Sequence, residues 1–338
     1  MDDIHAGSNG YCGPVAETNP PLQESKNVVS DKNVASSKNV APALVPSPEN
    51  RWGVFITGGG DFVVVGNDDD NARGYQLRIG DITAGVDYRV LQNLAIGLYG
   101  GYDGSQADLA GKGGLDMAGG KVGGFATWFC HGFYVDAAGG GAWNDYHTHR
   151  EALGVNDPIL GIHVGNLANG STNGTEVNAM GAVGYDWKHD FGKPGCLNVG
   201  PLVSIQYTNV DINSFTEHGS LIPLEILNQS EDSLRLSAGG RVSLDVRSEH
   251  GVIFRPEARA AWLHEFNDTA YPINATFAGC PDVFTVFGPT IGRDAALVGA
   301  GVTVQVTPTF AIFGHYDGIV SRNNYNSYAV NGGFSFGF

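Results

Sequence analysis

Long segments in which large apolar residues alternate with polar or small ones constrain this chain most. In "GDITAGVDYRV" Asp81, Thr83, Asp87 and Arg89 share one face, and Ile82, Ala84, Val86, Tyr88 and Val90 the other. In "SLRLSAGGRVSLDVR" Arg235, Ser237, Arg241, Asp245 and Arg247 oppose Leu234, Leu236, Ala238, Val242, Leu244 and Val246. In "FRPEARAAW" Arg255, Glu257 and Arg259 oppose Phe254, Ala258, Ala260 and Trp262, and in "FAIFGHYDG" His315 and Asp317 oppose Phe310, Ile312 and Tyr316. A period of two is the period of a β-strand, whose successive side chains point to opposite faces.

The same pattern runs from Arg51 to the C-terminus. It predicts about twelve strands: 51–65, 75–90, 94–106, 115–129, 133–147, 175–190, 197–212, 233–247, 252–266, 295–306, 309–320 and 326–338. The links "LQN", "CHG", "FGKPGC", "RSEHG" and "TP" are short. Those at 66–74, 107–114, 148–174, 213–232, 267–294 and 321–325 alternate with them, and several are long and polar. Short turns at one end and long loops at the other suit a barrel in an outer membrane. An even strand number then puts both termini on the short-turn, periplasmic side, with the long loops extracellular.

Soluble antiparallel sheets alternate too, so the competing fold is a sandwich or lipocalin-like barrel with apolar faces inward. Strand length opposes it: the segments exceed the usual five or six residues or so and fit tilted strands crossing a bilayer. Charges of both signs on the polar face fit an ion-paired lumen. The aromatics of the apolar face fall into two girdles, as at the two membrane interfaces. Tyr88, Trp128, Phe133, Tyr185, Trp187, Phe310 and Phe338 lie near the short turns; Tyr102, Trp143, Tyr207, Trp262, Tyr316 and Tyr328 lie near the long loops. The reading is all-β: a transmembrane antiparallel up-and-down barrel over 51–338. Glycine inside strands, as in "AGGKVGGF" and "AAGGGAW", costs stability. Here it relieves curvature and leaves space inside, enough in a barrel of this size for one segment of chain.

Composition agrees. The net charge of −16 opposes nucleic-acid binding, and 16% charged residues is low beside the ~25% of soluble proteins. Cys12, Cys130, Cys196 and Cys280 are far apart, without a zinc spacing, and leave the redox compartment open. Residues 1–50 lack Trp and Phe, carry the loose echo "KNVVSD KNVASS KNVAPA" and close on "APALVPSPEN". They read as a linker. The opening "MDDIHAGSNGYCGP" is not a signal peptide, so an exported protein is expected to be represented here in part.

The chain ends "YAVNGGFSFGF", with Tyr328, Val330, Phe334, Phe336 and Phe338 on one face. With about twelve strands in under 300 residues, a linker entering from the N-terminal side and this aromatic last strand, residues 51–338 resemble the C-terminal translocator domain of autotransporter (type V) secretion systems of Gram-negative bacteria. The resemblance implies a linker threading the lumen and an N-terminal passenger moved to the cell surface. It implies outer-membrane lipid, the barrel-assembly machinery and periplasmic chaperones as partners, with Phe334, Phe336 and Phe338 as the assembly signal, and a monomer. Fifty residues are too few for the β-helical passenger of most relatives, so a passenger removed or unrecorded is expected. Some relatives cleave between two adjacent asparagines in the threaded segment; residues 1–50 have no such pair, so cleavage is not carried over.

The lumen-lining set is Asp61, Asp81, Asp87, Arg89, Asp103, Lys121, Asp136, Asp186, Lys188, Arg235, Arg241, Asp245, Arg247, Glu257 and Arg259. Tyr88, Trp128, Trp143, Tyr185, Trp187, Trp262 and Tyr316 are the membrane-interface aromatics. His147 and His149 with His163 are weighed as metal ligands and read instead as a polar strand rim. Asp186/Lys188 and Arg241/Asp245 are read as ion pairs rather than acid–base pairs, because no nucleophile, base and orienter accompany them. "GGKVGG" lacks the ending of a phosphate loop. The sequons at Asn169, Asn173, Asn228, Asn267 and Asn274 carry no weight in a bacterial barrel. No cofactor, metal or enzymatic activity is expected. The alternative reading is a free-standing porin or an adhesin acting through its long loops.

Overall fold

The computed structural model describes residues 51–338 except 69–71, 92, 111–112, 158, 160–161, 192–194 and 249. The linker assigned to 1–50 lies outside them. The described residues form twelve barrel strands and no helix. They are β1 (Trp52–Val65), β2 (Tyr75–Leu91), β3 (Leu94–Leu109), β4 (Gly113–Cys130), β5 (Phe133–Glu151), β6 (Leu167–Tyr185, continued at Trp187–Asp190), β7 (Gly195–Ile212), β8 (Gln229–Arg247), β9 (Ile253–Glu265), β10 (Asp294–Thr307), β11 (Phe310–Arg322) and β12 (Tyr325–Gly337). Each pairs antiparallel with the next, and β12 pairs with β1 to close the barrel. The seam runs from Gly53 opposite Gly337 to Val65 opposite Tyr325, and Trp52 and Phe338 exchange backbone hydrogen bonds of 3.1 and 2.9 Å. Closure leaves the last strand no free edge, the liability its row of phenylalanines would otherwise create.

Strands extend further at their long-loop ends than the alternation predicts. The loop expected at 107–114 shrinks to the residues between Leu109 and Gly113, and β6 begins at Leu167 rather than 175. The reason is visible on β5. Its outward side chains are apolar only from Phe133 to Trp143, a length matching the ~9–11 residues needed to cross a bilayer. Beyond Trp143 the same face carries Asp145, His147, His149 and Glu151, all exposed. The ladder continues while both faces turn polar, so the period-two signal disappears though the strand does not. β6 breaks at Asp186, beside Pro201 of β7, a residue that has no N–H to give a ladder.

The intrastrand glycines do more than relieve curvature. Inward aromatic rings sit directly opposite them: Phe55 opposite Gly85, Tyr99 opposite Gly123, Phe125 opposite Gly97, Tyr134 opposite Gly184 and Phe313 opposite Gly333. At each of these glycines an added Cβ would collide with the opposing ring. The rings therefore lie flat on the neighbouring backbone and fill the space that glycine leaves. Phe55, Tyr99, Phe313 and Phe125 form one interior cluster.

Candidate functional site: the lumen wall and the outer mouth

The inner wall has two chemical zones. Across the middle runs a belt of charge. Cross-strand register brings Asp61, Asp81, Asp103 and Lys121 together from β1 to β4, and places Asp317 of β11 two strands from Asp61. The Lys121 ammonium lies 2.6 Å from Asp103 Oδ1 and 3.2 Å from Asp81 Oδ2. Arg259 donates through Nε (3.0 Å) and Nη2 (2.6 Å) to Asp317 Oδ1. Glu257 meets His315 Nδ1 at 3.2 Å. Elsewhere on this face Arg241 grips Asp186 with Nε (3.0 Å) and Nη2 and stacks over the Tyr134 ring at 4.2 Å. Arg255 pairs with Asp245, Arg235 with Glu265 (3.0 Å), and Asp136 accepts from Thr127 Oγ1 (2.8 Å).

Toward the long loops the inner wall turns apolar, unlike the ion-paired lumen expected throughout. Val63, Val65, Leu77, Ile79, Leu115, Val210, Leu263, Leu297 and Ile319 form one buried cluster with Tyr271 and Ile291, which belong to the loop after β9. That loop folds into the mouth, so these inward side chains meet apolar partners instead of water. Thr290 N–H donates to Asp68 Oδ2 (3.0 Å), and Arg322 Nε donates to the Gly292 carbonyl (2.6 Å). Arg293 Nη1 donates to the carbonyls of Glu265, Phe266 and Asn267 (3.2, 2.9 and 2.6 Å). A small four-stranded sheet stands over the mouth, in the order Phe215–Thr216, Leu224–Ile226, Pro272–Phe277, Val283–Phe287. It is fastened to β5 by Arg150, whose Nε and Nη2 reach the two Glu217 carboxylate oxygens at 2.8 and 2.7 Å. Beneath it lies a largely apolar cavity of about 200 Å³, lined by Leu115, Tyr146, Ile212, Phe215, Ile226 and Ile273 among others.

Among the residues singled out from sequence, Asp61, Asp103, Lys121, Asp136, Asp186, Arg235, Arg241 and Asp245 are buried, and Asp81, Asp87, Arg89, Glu257 and Arg259 partly so. The Asp87 carboxylate fills the space over Gly53. Arg247, the last residue of β8, is exposed, as is Lys188 beyond the break in β6: both stand at the rim, where the strands end, and do not share the enclosed wall. Trp128, Trp143, Trp187, Trp262 and Tyr316 are exposed on the outer face, with Tyr88 and Tyr185 half-buried there against Trp52 and Phe133. Phe334, Phe336 and Phe338 are exposed along the closing strand. His147 Nδ1 lies 3.0 Å from Ser171 Oγ on the exposed extension of β5, and no cluster of metal-ligating side chains occurs among the described residues. At the outer end of β10, the His264 ring 2.8 Å from Asp294 holds that carboxyl below its ordinary range, with help from the Trp262 indole (3.0 Å).

Sequence reasoning put His315 and Asp317 on the polar face but not in the lumen-lining set, and it missed Glu265 and the inward rings. Parity along each strand marks the rings: Tyr134 shares Asp136's face, and Phe313 that of His315 and Asp317. Face assignment has a direct test. Ile82, 56% exposed on the outer face, should cost about 2–4 kcal/mol as Ile82→Arg, whereas Asp87→Asn should cost little. Equal losses in denaturant titrations would contradict the two faces.

An outer apolar band with aromatic edges, a closed ladder and a charged inner wall define a transmembrane β-barrel. The chain belongs to the autotransporter family: the Autotransporter beta-domain matches residues 54–317. Its fold is that of solved translocator domains. The translocator domain of NalP from Neisseria meningitidis has a TM-score of 0.63 at 14% identity, over 85% of this chain and 88% of that one. The beta domain of Bordetella BrkA has a TM-score of 0.61 at 15% identity, over 85% of this chain and 100% of that one. The transport unit of AIDA-I from Escherichia coli has a TM-score of 0.59 at 16% identity, over 87% and 92%. Two matches to curated proteins are both named extracellular serine protease, of Serratia marcescens. One is 22% identical over 269 residues, 80% of this chain and 24% of that protein; the other is 24% identical over 155 residues, 46% and 14%. The chain thus spans about a quarter or less of the length of these relatives.

Proposed function

We propose that the barrel anchors itself in the outer membrane and carries an N-terminal passenger to the cell surface. Short turns and termini face the periplasm and long loops face outward. The observation that carries this reading is the closed twelve-strand barrel whose first strand begins at the short-turn end, where the preceding chain must enter. The polar outer-face extension of β5 beyond Trp143 supports the orientation, because it lies at the long-loop end. In this reading the inner charges line the path of residues 1–50 and the outer aromatics hold the barrel level. The barrel-assembly machinery and periplasmic chaperones act on the closing strand. Deleting Phe338, which is 56% exposed yet closes the backbone seam with Trp52, should reduce outer-membrane insertion more than it reduces the stability of barrels already folded. Insertion indifferent to the deletion would remove the assembly role.

Channel conductance separates this reading from a porin. The full chain should conduct little in planar bilayers, and removing residues 1–50 together with the mouth loop 267–292 should open it. A full chain that conducts at once as an open pore would overturn the translocator reading in favour of the porin.

A further inference from the structure

Among the described residues, the sheet over the mouth has one free edge. Its first strand, Phe215–Thr216, is followed by His218, which exchanges 2.9 Å backbone hydrogen bonds with Asn169 of β6. Among the described residues its last strand, Val283–Phe287, pairs only with Pro272–Phe277. The sequence of that edge is VFTVF, and Val283, Val286 and Phe287 are 56, 50 and 58% exposed. Exposed edges are normally guarded by Lys, Pro or a bulge; none of the five residues is charged or proline. The segment is also self-complementary. Paired antiparallel with itself about Thr285, it sets Val283 opposite Phe287, Phe284 opposite Val286 and Thr285 opposite Thr285. Aromatic with β-branched and Thr with Thr are favoured cross-strand pairs. The flanking Asp282 falls opposite Gly288, so like charges do not meet.

We infer that Val283–Phe287 is a strand-addition site for a second copy of this chain, joined through a two-fold axis at Thr285. A two-fold contact uses the same patch on both copies, which this register provides. Such a strand is small beside the ~1,000 Å² of a stable interface. The association is therefore reversible, and it depends on the membrane holding copies at high local concentration. It replaces the monomer expected from sequence, and it stands whether or not the barrel exports a passenger.

The test is cross-linking of the full chain in outer-membrane vesicles, in a Cys130→Ser/Cys280→Ser background. Thr285→Cys should give a disulfide-linked dimer on mild oxidation, whereas Leu221→Cys, 48% exposed but away from the edge, should give at least tenfold less. Thr285→Lys, which sets two ammonium groups face to face, should abolish the fluorescence energy transfer seen between donor- and acceptor-tagged copies of the parent in the same vesicles. Barrel folding is checked in each variant by heat-modifiable gel migration. Equal linkage at the two cysteine positions, linkage of Thr285→Cys to a different protein instead of a second copy, or folded barrels that stay monomeric would each overturn the inference.

Discussion

Replacing Lys121 with Met should lower the stability of the barrel by about 3–5 kcal/mol, the scale for removing one partner of a buried ion pair. Lys121 is 3% exposed, and its ammonium is shared between Asp81 and Asp103. Asp61, itself 4% exposed, lies on β1 beside β2, two residues along from Gly59, the partner of Asp81. Methionine keeps the volume but leaves carboxylates facing one another with this cation gone. Guanidinium unfolding of detergent-folded barrels, followed by tryptophan fluorescence, measures the loss. Lys121→Met/Asp103→Asn should recover part of it, because the second change removes a charge the first left behind. A single variant as stable as the parent would mean that the belt is solvated well enough to need no pairing.

The second large effect is expected at Gly184. The nearest atoms to a Cβ built there all belong to the Tyr134 ring, which is 1% exposed and lies beneath the Arg241 guanidinium. Gly184→Val should therefore displace the ring, at about 1–3 kcal/mol for overpacking, and disturb the Arg241–Asp186 pair with it. Tyr134→Ala should destabilise by about 3–5 kcal/mol through the lost ring. The double variant should be more stable than the sum of the two losses allows, because the valine then occupies space the ring has left. Strict additivity in this cycle would deny the ring-over-glycine contact.

These two sites show how far the sequence could be read. Which face of β2, β4 or β8 carries charge followed from parity alone, so Asp81, Lys121 and Arg241 were legible in the sequence. Which charge meets which did not, because Arg259–Asp317 and Arg235–Glu265 depend on strand register and on where strands end. Extensions such as Leu167–Gly174 were invisible: outside the apolar band Asn169, Ser171 and Asn173 face outward and the alternation fades. The mouth was hidden for another reason. Tyr271 and Ile291 sit in a loop without periodicity, and only the fold of that loop back into the barrel turns them into a core with Val65 and Leu297.

Surface display tests the central claim most directly. A small soluble reporter placed between a signal peptide and residue 1 should be cut by protease added to intact Gram-negative cells, while the heat-modifiable barrel remains whole. A reporter protected in intact cells and cut only after the outer membrane is permeabilised, with the barrel folded and inserted, would contradict translocation.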